Sequence, residues 1–154
     1  MATGASNQQT ARAGEHFVAG ELNRRGAYAV TFAGNMPRMD ILATDRSQAR
    51  TVRIQVKTRR VGSWQTSIDE GKKCRVRIDE ESFWVFVDLG KVDEPPGYFI
   101  VPESWIRNDI YRAHQAYLKR HGGRRKAGSD SKHHSITPKR IEAWRHRWEI
   151  LGVF

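Results

Sequence analysis

The chain has 154 residues, of which 38% are hydrophobic and 29% charged, and it carries a formal net charge of +10. This length allows one domain with a buried core and excludes two full domains, while the composition excludes a disordered chain. So large a positive surplus predicts a polyanionic partner. We expect nucleic acid rather than an anionic membrane, because neither end carries a basic amphipathic helix with an apolar face.

The cysteine content and the apolar runs predict a location. The single cysteine, Cys74, excludes an internal disulfide and is typical of a protein in a reducing compartment. Residues 1–12 lack the apolar stretch of a secretory signal, and no run reaches the roughly 18 apolar residues of a membrane helix. We therefore expect a cytoplasmic protein with no membrane partner.

The first 58 residues predict one helix followed by three strands. Gly26 stands where a glycine ends a helix, and apolar residues alternate in the segment after it. The predicted bounds are a disordered segment at 1–8, a helix over 10–25, a strand over 27–33, a turn at 34–37, a strand over 40–44, a loop at 45–50 and a strand over 51–58. The short loop makes the last two strands an antiparallel hairpin.

The rest of the chain predicts two strands and two helices after a segment, 59–81, that has no clear pattern. The continuous apolar run at 83–89 indicates a buried central strand. The other predicted elements are a turn at 93–97, a strand over 98–101, a helix over 103–119, a mobile loop at 121–136, and an amphipathic helix that begins at Thr137-Pro138 and carries Ile141, Trp144 and Trp148. This order predicts an α/β fold with a mixed sheet in one domain, 1–154, with a core at 10–102 and a basic helical C-terminal extension at 103–154.

An acidic residue lies on the apolar side of the first helix. On a helical wheel, Leu22 falls about 20° and Val18 about 60° from Glu15, so this carboxylate sits within the apolar stripe. Burying a carboxylate is unfavourable unless something pairs with it. The alternative is a glutamate at the edge of the stripe that reaches solvent or meets an arginine.

Polar residues also share one face of the predicted hairpin. Gln55 and Lys57 point to the same side of their strand, roughly 7 Å apart. Asp40 begins the preceding strand, and antiparallel pairing can bring it close to Lys57. A solvated polar strand face is the alternative. If Asp40 and Lys57 lay on opposite faces, no joint site could form.

A helix acid, a strand acid and Gln-x-Lys on the next strand resemble the PD-(D/E)XK nuclease superfamily, which has the restriction-endonuclease-like fold. The stretches that carry the resemblance are Gly14-Glu15, Met39-Asp40-Ile41-Leu42-Ala43 and Ile54-Gln55-Val56-Lys57-Thr58. Their order is similar to that of archaeal Holliday junction resolvases, and the glutamine version is similar to intron-encoded homing endonucleases and VRR-type nucleases. The resemblance covers residues 10–60, and more loosely the strands at 83–101.

The resemblance implies a metal-dependent nuclease site. Asp40, the Gln55 amide oxygen, the Val56 carbonyl and Glu15 would be ligands of Mg²⁺ or Mn²⁺, a hard cation that prefers oxygen. Lys57 would hold the attacking water or neutralise charge on a phosphate oxygen. Gln55 replaces an acid of the family pattern, which lowers the negative charge of the site and favours a binding role without catalysis.

Basic residues follow the predicted site in the sequence and predict contacts to phosphates. The predicted nucleic-acid-binding set is Arg53, Arg59, Arg60, Trp64, Lys72, Lys73, Arg124, Arg125 and Lys126. Trp64 is the member expected to touch a nucleotide base, and a solubilising surface is the alternative for the charges. By contrast, Trp105, Trp144 and Trp148 have the spacing of core residues.

The sequence therefore predicts a divalent-metal-dependent endonuclease acting on DNA, and analogy with such enzymes adds a homodimer as an expectation. Two other functions stay open. One is a DNA-binding module that keeps the nuclease fold without activity, and the other is a basic RNA-binding protein with no catalytic site.

Overall fold

The computed structural model describes residues 4–34, 36–77, 80–124 and 131–154. The first helix, α1, spans Gly4–Arg24, and Gly26 follows it with a φ of 102°. The expected helix and its glycine stop are confirmed, but residues 4–8, predicted to be disordered, belong to the helix. None of the described helices is long and apolar enough to cross a membrane.

A five-stranded mixed sheet forms the centre of the fold. Its strands are β1 (Tyr28–Thr31), β2 (Ile41–Thr44), β3 (Thr51–Arg59), β5 (Ser82–Asp88) and β6 (Gly97–Pro102), in the spatial order β1-β2-β3-β5-β6. The β3–β5 pair is parallel and the other three pairs are antiparallel. The predicted α/β class, the hairpin of β2 and β3, and the central position of the apolar run at 83–89 are confirmed.

Between β3 and β5 the chain forms β4 (Trp64–Ser67), which pairs with β7 (His133–Ile136) in a separate two-stranded sheet. No pattern predicted β4, because its pairing partner lies far along the chain. The loop predicted at 121–136 is wrong for the part that forms β7, and 125–130 lie outside the described residues.

Apolar side chains fill both faces of the central sheet. Val85 of β5 packs in the cluster under α1, which includes Val18. Its neighbour Trp84 packs in a second cluster under α2, the helix Glu103–Arg120, together with Ile106. Burial on both faces is the reason that β5 is apolar at consecutive positions.

The predicted amphipathic helix after Thr137 is wrong. The chain instead forms two 3₁₀ helices, Pro138–Trp144 and Trp148–Leu151. Between them His146 has a φ of 54°, and its N–H donates to the Tyr98 carbonyl at 2.9 Å. Ile141 packs in the second cluster and Trp148 in the first, and one straight helix could not reach both faces of the sheet. The C-terminal residues thus contribute to the core.

Candidate active site

Asp40 lies at the point where β2 stops pairing with β3. Its N–H donates to the Ile54 carbonyl at 2.9 Å, and its Oδ2 accepts the Val56 N–H at 2.6 Å. Beyond this point β2 no longer pairs with β3, and the Asp40 carboxylate accepts the hydrogen bond that a carbonyl of β2 would otherwise accept. The N–H and C=O of a strand residue point to the same neighbour, so the Val56 carbonyl also faces this edge.

Gly14 brings α1 against the same half of β3. A Cβ at this position would lie 1.8 Å from Thr58 Oγ1, so only a glycine allows the helix to approach this closely. The next residue, Glu15, lines a cavity of about 240 Å³ together with Asp40 and Arg12. The helix carboxyl and the strand carboxyl, predicted separately, thus face one cavity.

The pKa values of Glu15 and Asp40 are both raised. Burial raises the pKa of Glu15, and the nearby charge of Asp40 raises that pKa further, against the lowering effect of Arg12. Burial also raises the pKa of Asp40, while the Val56 N–H and the Lys57 ammonium oppose the rise. Arg12 Nη1 lies 3.2 Å from Glu15 Oε2 and supplies the arginine partner that one alternative required. Both acids favour a neighbouring cation.

Gln55 and Lys57 lie on the sheet face opposite α1. Leu42 faces Arg53 across the hairpin, and alternation places Asp40, Gln55 and Lys57 on this same face. The geometric condition for a joint site is therefore met, which agrees with the lowering of the Asp40 pKa by Lys57. The Lys57 Nζ lies 5.4 Å from the ring centroid of Trp84, a cation–π contact that restrains the ammonium.

The amide oxygen of Gln55 is buried and accepts no hydrogen bond from any described residue. Buried polar atoms are nearly always paired, so an orphaned oxygen marks a place for a missing donor or cation. Among the described residues no group of three or more His, Cys, Asp and Glu side chains could hold a metal. A metal here would depend on two carboxylates, this amide oxygen and the backbone.

Two members of the predicted nucleic-acid-binding set are placed differently from expectation. Trp64 is 1% exposed, its Nε1 donates to the Val87 carbonyl at 2.9 Å, and it packs edge-on against Phe86 and Phe99. It cannot stack on a base. Arg59 lies over the Trp64 ring and binds Asp88 at 2.5 Å, so its guanidinium is already engaged.

The remaining predicted members lie on the surface or beyond the described part. Arg53, Arg60, Lys72, Lys73 and Arg124 are exposed, whereas Arg125 and Lys126 lie outside the described residues. Among the tryptophans predicted as core, Trp148 is buried, and Trp105 and Trp144 pack edge-on against each other beside the second cluster.

Sequence reasoning missed two arginines near the site. Arg12 stands three residues before Glu15 on α1, a spacing that predicts a helical ion pair and could have identified it. Arg38 has a φ of 62°, unusual for a residue with a side chain, in the turn that leads to Asp40. No sequence pattern indicated Arg38. Its left-handed backbone, which arises from the fold of the turn, is visible only in the structure.

The sheet order and the helix that crosses the sheet are those of the restriction-endonuclease-like fold. Neither a protein-family model nor a curated protein matches the sequence. The chain is similar in structure to a Holliday junction resolvase, Hjc, from the archaeal hyperthermophile Archaeoglobus fulgidus. That match has a TM-score of 0.53 and 17% identity, and it covers 94% of this chain and 97% of the resolvase.

A second structural match is the bacterial homing endonuclease I-Ssp6803I, with a TM-score of 0.48 and 13% identity. It covers 99% of this chain and 94% of the endonuclease. Identities this low establish the fold alone, so activity has to be argued from the site.

Proposed function

We propose that this chain is a divalent-metal-dependent endonuclease that hydrolyses phosphodiester bonds in DNA. The observation that carries the proposal is a pair of carboxyls, Glu15 and Asp40, that line one cavity beside β3, with the Lys57 ammonium near enough to lower the Asp40 pKa. The same fold occurs in a Holliday junction resolvase. The net charge of +10 suits a polyanionic substrate.

The donor set fits a hard cation. Asp40, Glu15, the Gln55 amide oxygen and the Val56 carbonyl would hold Mg²⁺ or Mn²⁺ through oxygen ligands alone. Proteins commonly bind Mg²⁺ through one or two carboxylates, with water and substrate phosphate as the other ligands. A cation would relieve the repulsion between Asp40 and Glu15, and it would satisfy the Gln55 oxygen that no described residue satisfies. When bound, the ion supplies charge to the phosphate and makes water a better nucleophile near neutral pH.

The side chains of the protein prepare the site for this chemistry. The Val56 N–H holds the Asp40 carboxylate in one orientation. Lys57, restrained over Trp84, is placed to orient an attacking water or to neutralise a phosphate oxygen as negative charge develops on it. Arg12 pairs with Glu15 and is free to turn to a phosphate once another cation takes its place.

Cleavage of supercoiled plasmid and of branched DNA, with Mg²⁺ or Mn²⁺ and with a chelator, tests the proposal. Asp40→Asn and Lys57→Met should abolish cleavage. The matched controls are Asp93→Asn and Lys139→Met, which change exposed residues that form no ion pair within the described part of the chain. Equal cleavage by all five proteins would identify a contaminant and contradict the proposal.

A second candidate is a DNA-binding protein that retains the fold without cutting. Gln55 favours it, because the site holds only two acids and binds a cation less tightly than three would. Under this candidate neither metal supports cleavage of any substrate, while Asp40→Asn binds DNA as well as the unchanged protein does.

Partner and location extend the proposal. Many nucleases cut both strands of a duplex as symmetric pairs, so we include a homodimer by analogy alone. The cytoplasmic location and the single-domain organisation remain predictions from the sequence.

A further inference from the structure

A second, larger cavity of about 590 Å³ lies on the Gln55 side of the site. Its floor is made by β3 and β5 at the paired residues Arg53 and Ser82. One wall is the turn at 36–39 and the other is the first part of α2. Met36 and Met39 line both this cleft and the cavity of the two carboxyls, so the two spaces adjoin.

Three cations that have no partner among the described residues line this cleft. Arg38, Arg53 and Lys72 are exposed, and within the described residues their side chains form no ion pair or hydrogen bond. The acids in the walls are already engaged. Glu103 binds Arg107 at 2.8 Å, and Glu80 accepts the Ser104 N–H at 2.6 Å. Ser104 is uncharged and does not cancel the charge of Glu80, but the described lining holds four cations against two acids, so the cleft has a net positive charge that attracts phosphates.

The shape and apolar lining of the cleft restrict what it can hold. The turn at 36–39 and the first part of α2 flank Arg53, so a polymer that contacts it lies between them, a position that suits one strand better than the broader duplex. Met36, which is 44% exposed, and Met39 offer flexible apolar surface beside the cations. Grooves for single strands combine cations along the backbone with side chains, most often aromatic, that contact the bases, and here Met36 and Met39 stand in that position.

We propose that this cleft holds a single-stranded segment of DNA that adjoins the bond to be cut. Its phosphates bind Arg38, Arg53 and Lys72, and its bases lie against Met36 and Met39. The inference rests on the proposed function for the position of the cut. It names the substrate class as DNA with unpaired nucleotides beside the cleavage point, such as forks, flaps and gaps, in preference to continuous duplex.

The single cysteine of the chain reports directly on this cleft. Cys74 lines it and is half-buried, so alkylation of its thiol can be followed in the unchanged protein. We expect a saturating single-stranded oligonucleotide, in chelator, to suppress alkylation, and a saturating blunt duplex to leave the rate unchanged. Equal protection by both, or protection by neither, overturns the inference.

Charge removal gives a second measurement that does not depend on the thiol. The variant Arg38→Gln/Arg53→Gln/Lys72→Gln should lower the slope of log affinity against log salt for a single strand by about 2, as expected for three lost phosphate contacts. Its affinity for blunt duplex should change little. The matched control carries Arg46→Gln, Arg112→Gln and Lys139→Gln, which alter three exposed cations outside the cleft. An equal loss of slope in the control, or no loss in the cleft variant, overturns the inference.

The two proposals fail in different ways. Protection of Cys74 by a single strand without cleavage of any DNA would leave the cleft intact and reject the nuclease. Cleavage of plasmid without that protection would leave the nuclease intact and reject the cleft. Thermal melts of both triple variants check that each is folded.

Discussion

The two halves of β3 differ in their burial pattern and in how their polar groups are paired. In the first half, residues 51–54 alternate between exposed and buried, and Val52 and Ile54 are fully buried under α1. In the second half, residues 55–59 are all half-buried, and buried oxygens of Gln55 and Thr58 find no hydrogen-bond partner among the described residues.

This difference suggests that residues 51–54 of β3 mainly stabilise the fold and that residues 55–59 mainly serve the proposed site. Alternation with one apolar face is what a strand needs to hold a sheet on a core. Buried polar groups without partners destabilise a fold, so the unpaired Gln55 oxygen leaves a place for a ligand in the second half. Substitutions in the first half should then change the free energy of unfolding, and those around the second half should change cleavage.

The largest effect is expected from Asp40→Asn, which keeps an oxygen to accept the Val56 N–H and removes the charge. Loss of a charged metal ligand worth several kcal/mol should lower the cleavage rate by about 10³-fold. The melting temperature should not fall, because the Asp40 carboxyl is desolvated and its pKa is raised. Single-turnover cleavage measures the rate, and thermal melts measure the melting temperature. If Asp40→Asn lowered both, the proposed division between a stabilising half and a chemical half of β3 would be wrong.

Ile54→Ala, in the first half, should have the reverse effect. Removing a fully buried side chain under α1 should lower the free energy of unfolding by about 3 kcal/mol. Cleavage per folded molecule should stay the same. Denaturant melts measure the stability, and Thr51→Ala at an exposed position of the same strand is the control, expected to change it by less than about 0.5 kcal/mol.

Gly14→Ala tests the contact between α1 and the second half. The new methyl group would meet Thr58 and push the helix away, which should cost about 2 kcal/mol and move Glu15 from Asp40, so that cleavage falls as well. Gly20→Ala is the matched control on the same helix, because nothing lies within 4 Å of its added Cβ. It should stabilise the protein by up to about 1 kcal/mol. Equal stability and equal cleavage in the two variants would contradict this prediction.

The smallest effect is a dependence of stability on pH. The pKa values of Asp40 and Glu15 are raised in the folded protein above their ordinary 3.8 and 4.5. The folded state therefore holds these protons more tightly, and stability falls as pH rises from those ordinary values through the raised ones. Denaturant melts across pH 4 to 7, in chelator, should show this decline flattened in Asp40→Asn. An identical decline in both proteins would show that burial does not raise the pKa of Asp40 in the folded protein.

The residues that sequence could place are those whose neighbours lie close along the chain. The hairpin of β2 and β3 follows from alternation and a short loop, whereas the face shared by Asp40 and Lys57 stayed open until the structure gave the register. The helical wheel of α1 placed Glu15 in the apolar stripe, and the glycine that permits its approach to Asp40 was recognised only in the structure.

The elements that sequence could not place depend on distant contacts. β4 exists because β7 pairs with it, and Trp64 is buried because Phe86 and Phe99 surround it. A tryptophan in a segment without pattern looked like a surface aromatic, since nothing local shows which distant side chains will cover it. The break at His146 likewise depends on the Tyr98 carbonyl, which replaces the next turn of a helix.

The cluster under α1 has a consequence for folding. Trp148, Leu151 and Val153 pack there with Val18 and Leu22, so residues from early and late in the chain close one core. Such long-range closure slows folding, because a large loop must be ordered before its contacts stabilise it. A fragment of residues 10–102 would leave this apolar surface open to aggregation. Glu15 and Asp40 therefore come together only after C-terminal residues, distant in sequence, have packed under α1.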